Sequence, residues 1–138
     1  KKFDSQDGVG IKLLQLSEIE VAVITARSTK SVAHRLKGLG VKHYYHGITD
    51  KSIALKELTK KLSIEMSESA YVGDDVIDLP AMTRVGLPVA VANAHSFVKE
   101  NALMITNSSG GSGAVREVCD FLLKSQNKYD ELMASFLK

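Results

Sequence analysis

A chain of 138 residues with 44% hydrophobic and 25% charged side chains is long enough to bury a core and has the proportions of a compact globular protein. Its 18 basic and 16 acidic residues leave a net charge of +2 and are interleaved, without the concentrated basic stripe that nucleic-acid binding needs, and no apolar run approaches the length that crosses a bilayer. A single cysteine, Cys119, excludes an intrachain disulfide and a cysteine-built metal site, so a reducing, cytoplasmic setting is the simplest assignment.

Asp7 and Gly8 open a helical pattern in which Val9, Leu13 and Leu16 share one face with Leu14 beside them, ending near Ser17. Ile19 to Thr25 reads IEVAVIT, almost continuously apolar and β-branched, which predicts a strand buried on both faces of a parallel sheet with Thr25 at its carboxyl end. Ser28 or Thr29 caps a helix running to about Leu39, and Gly38 and Gly40 end it before a short strand around Val41 to Tyr45. Asp50 caps the next helix, which carries Ala54, Leu55, Leu58 and Leu62 on one face. Ala70, Tyr71 and Val72 form a short strand broken by Gly73, and three carboxylates follow at Asp74, Asp75 and Asp78 before Pro80 opens a helix. Val89 to Ala92 predicts a further buried strand, then the turn NAHS, a short helix from about Ser96 and a last strand at Leu103 to Thr106.

NSSGGSG reads as a flexible glycine loop ahead of a helix striped by Ala114, Val115, Val118, Cys119, Leu122 and Leu123, where Cys119 is a packing residue. The tail residues Tyr129, Leu132, Met133, Phe136 and Leu137 recur at helical spacing, and this stripe is expected to pack on a neighbouring subunit. With no internal repeat or long linker, strand and helix alternate as in one α/β domain over residues 1–138, built on a Rossmann-like, doubly wound parallel sheet.

Three features follow one another at strand-to-helix junctions. They are a hydroxyl at the end of a hydrophobic strand (Thr25), a lysine opening a helix (Lys51) and the acidic loop (Asp74, Asp75, Asp78). A phosphoryl group needs a hydrogen-bond donor and a cation to steady its oxygens, and a hard cation such as Mg²⁺ takes carboxylate oxygens, water and substrate phosphate as ligands. Lys51 also lies just inside a helix N-terminus, where backbone amides add to the attraction for an anion. Taken singly, each feature has a plain reading: a solvated acidic turn with Asp78 capping the next helix, a surface lysine, a strand threonine with a local hydrogen bond. The order Thr25, Lys51, Asp74 argues against a phospho-receiver domain, in which the acceptor aspartate precedes the threonine and the lysine comes last.

The segments VAVITARS, Asp50-Lys51, YVGDDVIDLPAM, VGLPVAVANAH and GGSGAVREVCD resemble the haloacid dehalogenase superfamily, and within it the 3-deoxy-D-manno-octulosonate 8-phosphate phosphatases, over about Phe3 to Lys124. The resemblance implies a Mg²⁺-dependent phosphomonoesterase acting on a sugar-acid phosphate in lipopolysaccharide synthesis, assembled as a homotetramer. It implies that Thr25 holds phosphate, that Lys51 steadies the phosphate and the nucleophile, and that Asp74 ligates Mg²⁺ with Asp75 and Asp78 assisting. Arg27, after the threonine, is a candidate for substrate binding, with a solvent-facing arginine as the alternative. No catalytic role is expected of His34, His43, His46 or His95.

Two departures bear on function. The superfamily's first motif, an Asp-x-Asp pair after the first strand that supplies the nucleophile and a general acid/base, does not occur, and Asp4 and Asp7 precede any strand end. Ser112 stands where an arginine is usual, and Gln6 where a basic residue is common. The chain opens KKFDSQDG without an initiator methionine and is expected to lack an N-terminal central strand. The strands ending at Thr25 and Gly73 should then face each other across about 9 to 10 Å, two strand spacings. A non-catalytic domain of the same fold, serving assembly or regulation, is the competing expectation.

Overall fold

The computed structural model describes residues 4–138; Lys1 to Phe3, where the resemblance begins, lie outside the described residues. Helix α1 (Ser5–Leu16) is capped by Asp4, whose carboxylate accepts from the Gln6 and Asp7 amides. Strand β1 (Ala22–Ile24), helix α2 (Lys30–Gly38), strand β2 (His43–Tyr45) and helix α3 (Lys51–Leu62) follow. Thr29 caps α2 through the Val32 amide and Asp50 caps α3 through Ser52, as short polar side chains at these positions dictate. Next come β3 (Ala70–Gly73), α4 (Leu79–Met82), β4 (Leu87–Ala90), α5 (Ser96–Glu100), β5 (Met104–Ile105), α6 (Ala114–Ser125) and α7 (Tyr129–Ser135).

Among the described residues every strand pairing is parallel, and the strands form two sheets rather than one. β1 pairs with β2, from Ala22 opposite His43 to Ile24 opposite Tyr45. β3, β4 and β5 form the other, with Ala70 opposite Leu87 and Val89 opposite Met104. Among the described residues β1 and β3 do not pair with each other. β1 is accordingly half-buried along its length, not enclosed on both faces as its apolar run suggests. The strand expected at Val89 to Ala92 starts earlier: Pro88 lies within β4, where it contributes only its carbonyl, accepting from the Leu103 amide.

The core divides into three clusters. Met82, Ala90, Val91 and Val98 fill the β3–β5 side; Val32, Leu36, Leu39 and Val41 pack under β1 and β2. Leu13, Leu14, Cys119 and Leu123 join α1 to α6. In α1 the buried face differs from the expected one, since Val9 and Leu16 are exposed while Gly8, Gly10, Leu13 and Leu14 are buried. Close approach of the helices explains it: a Cβ on Gly10 would meet Arg116 Cδ at 3.0 Å and Cys119 Cβ at 3.1 Å. A glycine makes that contact, and hydrophobic periodicity does not register it.

The tail also differs from expectation. Tyr129, Leu132 and Met133 pack on the chain's own α1–α6 cluster, and Lys124 lies over the Tyr129 ring at 4.6 Å. Only Phe136 and Leu137 of that stripe remain exposed. The α1–α6 pair has enough apolar surface left at its end to receive α7.

Candidate active site

Because the strands are parallel, their carboxyl ends deliver the following loops to one edge of each sheet, which is where open α/β sheets bind ligands. Lys51, the first residue of α3, is 8% exposed and its Nζ donates to Asp78 Oδ1 at 2.7 Å. Asp78, only 3% exposed, closes a 3₁₀ turn at Val76–Asp78 beyond β3. α3 packs on β1 as well as on α4, so this ion pair fastens the two halves of the structure at the functional edge.

The Asp78 carboxylate is fully engaged. Oδ1 also accepts from the Tyr71 hydroxyl at 2.8 Å, and Oδ2 accepts from the backbone amides of Asp74 at 2.9 Å and Asp75 at 3.2 Å. Four donors meet about four lone-pair sites. Burial pushes the Asp78 pKa up, but the Lys51 ammonium, the two amides and the tyrosine together outweigh it and hold the carboxyl below its usual range. The Asp78 oxygens are thus directed at Lys51, Tyr71 and the two loop amides. Asp78 does not cap α4 as the plain reading of the acidic turn supposes; its side chain reaches back to the loop.

Asp75 is exposed and its Oδ1 accepts from the Val76 amide at 2.7 Å, capping the 3₁₀ turn. Asp74 is exposed at the end of β3, and its carbonyl accepts from the His95 amide at 2.9 Å, which ties the acidic loop to the turn after β4. Partial burial and the neighbouring Asp78 and Asp75 carboxylates raise the Asp74 pKa above its usual value, with Lys51 opposing them. The loop carries three carboxylates, of which Asp78 alone is paired with Lys51, and a hard cation would relieve the repulsion that Asp74 feels. Among the described residues no three His, Cys, Asp or Glu side chains converge as a metal cage. The donor chemistry fits Mg²⁺ held by one or two carboxylates and completed by water and substrate oxygens, and Asp74 and Asp75 are both exposed at this loop.

Thr25 ends β1 with its amide on the Tyr45 carbonyl at 2.8 Å and its own carbonyl accepting from the Ile48 amide at 3.1 Å. Its Oγ1 accepts from the Arg27 amide at 3.1 Å, which leaves the hydroxyl proton free to donate to an anion. Arg27 itself is exposed just beyond. Three of the histidines make short-range polar contacts. His43 Nε2 meets Glu20 at 2.9 Å, His46 Nδ1 meets Ser28 Oγ at 2.8 Å, and His95 Nδ1 accepts from the Phe97 amide to cap α5.

Several supporting residues escape the sequence reading. Tyr71 reads as a strand aromatic, yet its hydroxyl faces Asp78. The glycine segment expected to be flexible is tethered: Glu117 accepts from the Asn107 and Ser108 amides at 3.0 Å, and Asn93 Oδ1 accepts from the Gly110 amide at 2.8 Å. Asp7 lies buried against α6, accepting from the Arg116 amide at 2.8 Å. The only sequence signal for these is polar residues inside otherwise apolar or glycine-rich stretches.

A family model described as haloacid dehalogenase-like hydrolase matches residues 45–118. The 3-deoxy-D-manno-octulosonate 8-phosphate phosphatase of Escherichia coli K12 is 50% identical over 131 residues, covering 95% of this chain and 70% of that protein. A crystal structure of the phosphatase of that name from Moraxella catarrhalis, in complex with magnesium ion, phosphate ion and a KDO molecule, superposes with a TM-score of 0.96 at 46% identity, over 99% of this chain and 78% of its own. The cobalt-bound deoxy-D-mannose-octulosonate 8-phosphate phosphatase of Haemophilus influenzae gives a TM-score of 0.94 at 36% identity, over 100% and 82%. With a family match across more than half its length and half its residues shared with a relative it largely spans, this chain belongs to the haloacid dehalogenase-like hydrolases.

Proposed function

We propose that the protein is a Mg²⁺-dependent phosphatase that hydrolyses a sugar-acid phosphate such as 3-deoxy-D-manno-octulosonate 8-phosphate, in lipopolysaccharide biosynthesis in the cytoplasm. The observation that carries the reading is Lys51. Its ammonium is buried at the carboxyl edge of the sheet and donates to Asp78, so two of its three N–H groups remain for a phosphoryl oxygen. The Thr25 hydroxyl supplies a neutral donor from the neighbouring loop, and the amides opening α3 add positive potential. Arg27, exposed beside Thr25, suits the substrate's carboxylate. Asp74, with Asp75 beside it, would hold the metal, which when bound polarises the phosphoryl group and neutralises its charge.

A strand between β1 and β3 is part of this proposal. Both strands leave an edge without a strand partner, and unpaired backbone polar groups at a buried edge are costly. A parallel strand ending in the family's Asp-x-Asp pair would satisfy both edges and bring a carboxylate nucleophile beside Thr25, Lys51 and Asp74. We further propose a homotetramer, in which exposed Ile53, Val76, Ile77 and Phe97 around the acidic loop are covered by other copies.

The test is release of inorganic phosphate from 3-deoxy-D-manno-octulosonate 8-phosphate by the intact protein. Turnover that vanishes on chelation and returns with Mg²⁺ is expected. A folded protein with no turnover, or with turnover indifferent to metal, overturns the reading in favour of a non-catalytic domain or another chemistry.

A further inference from the structure

Asp78 Oδ1 accepts from two side chains at once, Lys51 Nζ at 2.7 Å and the Tyr71 hydroxyl at 2.8 Å. The other oxygen is held by the Asp74 and Asp75 amides of its own loop, so the carboxylate is anchored by backbone and cannot turn to accommodate either side chain. Tyr71 in turn is fixed, its ring packed against the Met82 and Val98 cluster. Burial, followed by the adjacent Asp78 charge, pushes the phenol's pKa well above its ordinary value, so the hydroxyl stays protonated and donates. Of the four donors on Asp78, only the lysine has freedom to rearrange, because its stem is flexible and its ammonium carries three equivalent N–H groups.

We infer that Tyr71 is a positioning residue for Lys51: by occupying one side of Asp78 Oδ1 it confines the ammonium to the other and keeps its remaining N–H groups available to a phosphoryl oxygen. Without the hydroxyl, the vacated side of Oδ1 is open to the ammonium, which shifts over the carboxylate and away from the anion. The inference rests on the phosphatase reading, since it assigns Lys51 to a phosphoryl group. It predicts that loss of the tyrosine hydroxyl weakens phosphate binding only through the lysine, whereas a merely structural tyrosine would weaken it independently of the lysine or not at all.

The experiment is a double-mutant cycle on the intact protein, reading the dissociation constant of inorganic phosphate in the presence of Mg²⁺ for wild type, Tyr71→Phe, Lys51→Met and the double variant. Tyr71→Phe alone should weaken phosphate by about tenfold, the scale of one charge-assisted hydrogen bond, and should change it less than about twofold in the Lys51→Met background. Should Lys51→Met fail to fold, Lys51→Gln, which removes the ammonium while leaving a polar group for Asp78, replaces it with the same expectation. An unchanged constant in Tyr71→Phe, or an equal loss in both backgrounds, overturns the positioning role while leaving the phosphatase reading intact. Failure of the wild type itself to bind phosphate removes both.

Discussion

Lys51 and Asp78 stand 27 residues apart in sequence and meet at 2.7 Å, joining the helix that packs on β1 to the loop that leaves β3. The contact is a stability element and a site element together. Replacing Asp78 with Asn leaves a buried ammonium without its counter-charge, and breaking a buried pair in this way costs about 3 to 5 kcal/mol. Asp78→Asn should lower the unfolding midpoint in denaturant accordingly and abolish turnover. The double variant Lys51→Met/Asp78→Asn should recover part of the stability and none of the activity.

The same pair sets an acid limit. Asp78 has a folded-state pKa below its unfolded value, so its contribution is fully present above the ordinary carboxylate range and is lost as pH falls through the folded value. Stability should hold from neutral pH down to about 4 and decline below it, and in Asp78→Asn that acid decline should be shallower. Thermal melts across pH 2.5 to 7, values chosen to span roughly the carboxylate range, check this.

Asp74 behaves in the opposite sense. Its pKa is raised, so its charge opposes folding above the unfolded value, and the penalty is relieved as pH falls through the folded value. In metal-free buffer at neutral pH, Asp74→Asn should therefore melt at a higher temperature than the wild type. Mg²⁺ should raise the melting temperature of the wild type only. A Mg²⁺ shift that persists in Asp74→Asn would remove Asp74 from the metal site.

Two glycines distinguish packing from propensity. Alanine at Gly38, near nothing within 4 Å, should stabilise by about 0.4 to 1 kcal/mol through helix propensity and reduced unfolded-state freedom. At Gly10 the same gain is set against overpacking of about 1 to 3 kcal/mol where α6 approaches to 3.0 Å, so the net effect should be destabilising. Denaturant midpoints of the two variants should move in opposite directions.

Cys119 is buried between α1 and α6, and burial, ahead of the nearby Asp120 and Asp7, pushes its thiol up to about 12. Alkylating reagents at pH 8, roughly the pKa of a free thiol, should leave the native protein unmodified and label it on unfolding. Rapid labelling of the folded protein would contradict the packing described.

The succession of strands and helices along the chain, the caps at Thr29 and Asp50 and the apolar faces of α3 and α6 are legible in sequence because each rests on local chemistry repeated at the period of its element. The α1 face is not, because its tightest contact is a glycine whose partner lies more than one hundred residues away at Arg116 and Cys119. At the site, the spacing of Thr25, Lys51 and Asp74 points to a common edge. The division of labour among the acidic residues does not follow from spacing: Asp78 differs from Asp74 only in what surrounds it, and Lys51, Tyr71 and two loop amides are contributed by three different segments. Tyr71 stays hidden for the same reason, since a strand tyrosine carries no sign of where its hydroxyl ends.

The measurement that bears most directly on the central claim is a crystal structure of the intact protein with Mg²⁺ and inorganic phosphate. Phosphate oxygens within hydrogen-bond reach of both Thr25 Oγ1 and Lys51 Nζ, and Mg²⁺ on Asp74, are the predicted result. Phosphate bound away from Lys51, or Mg²⁺ bound without Asp74, would contradict the account.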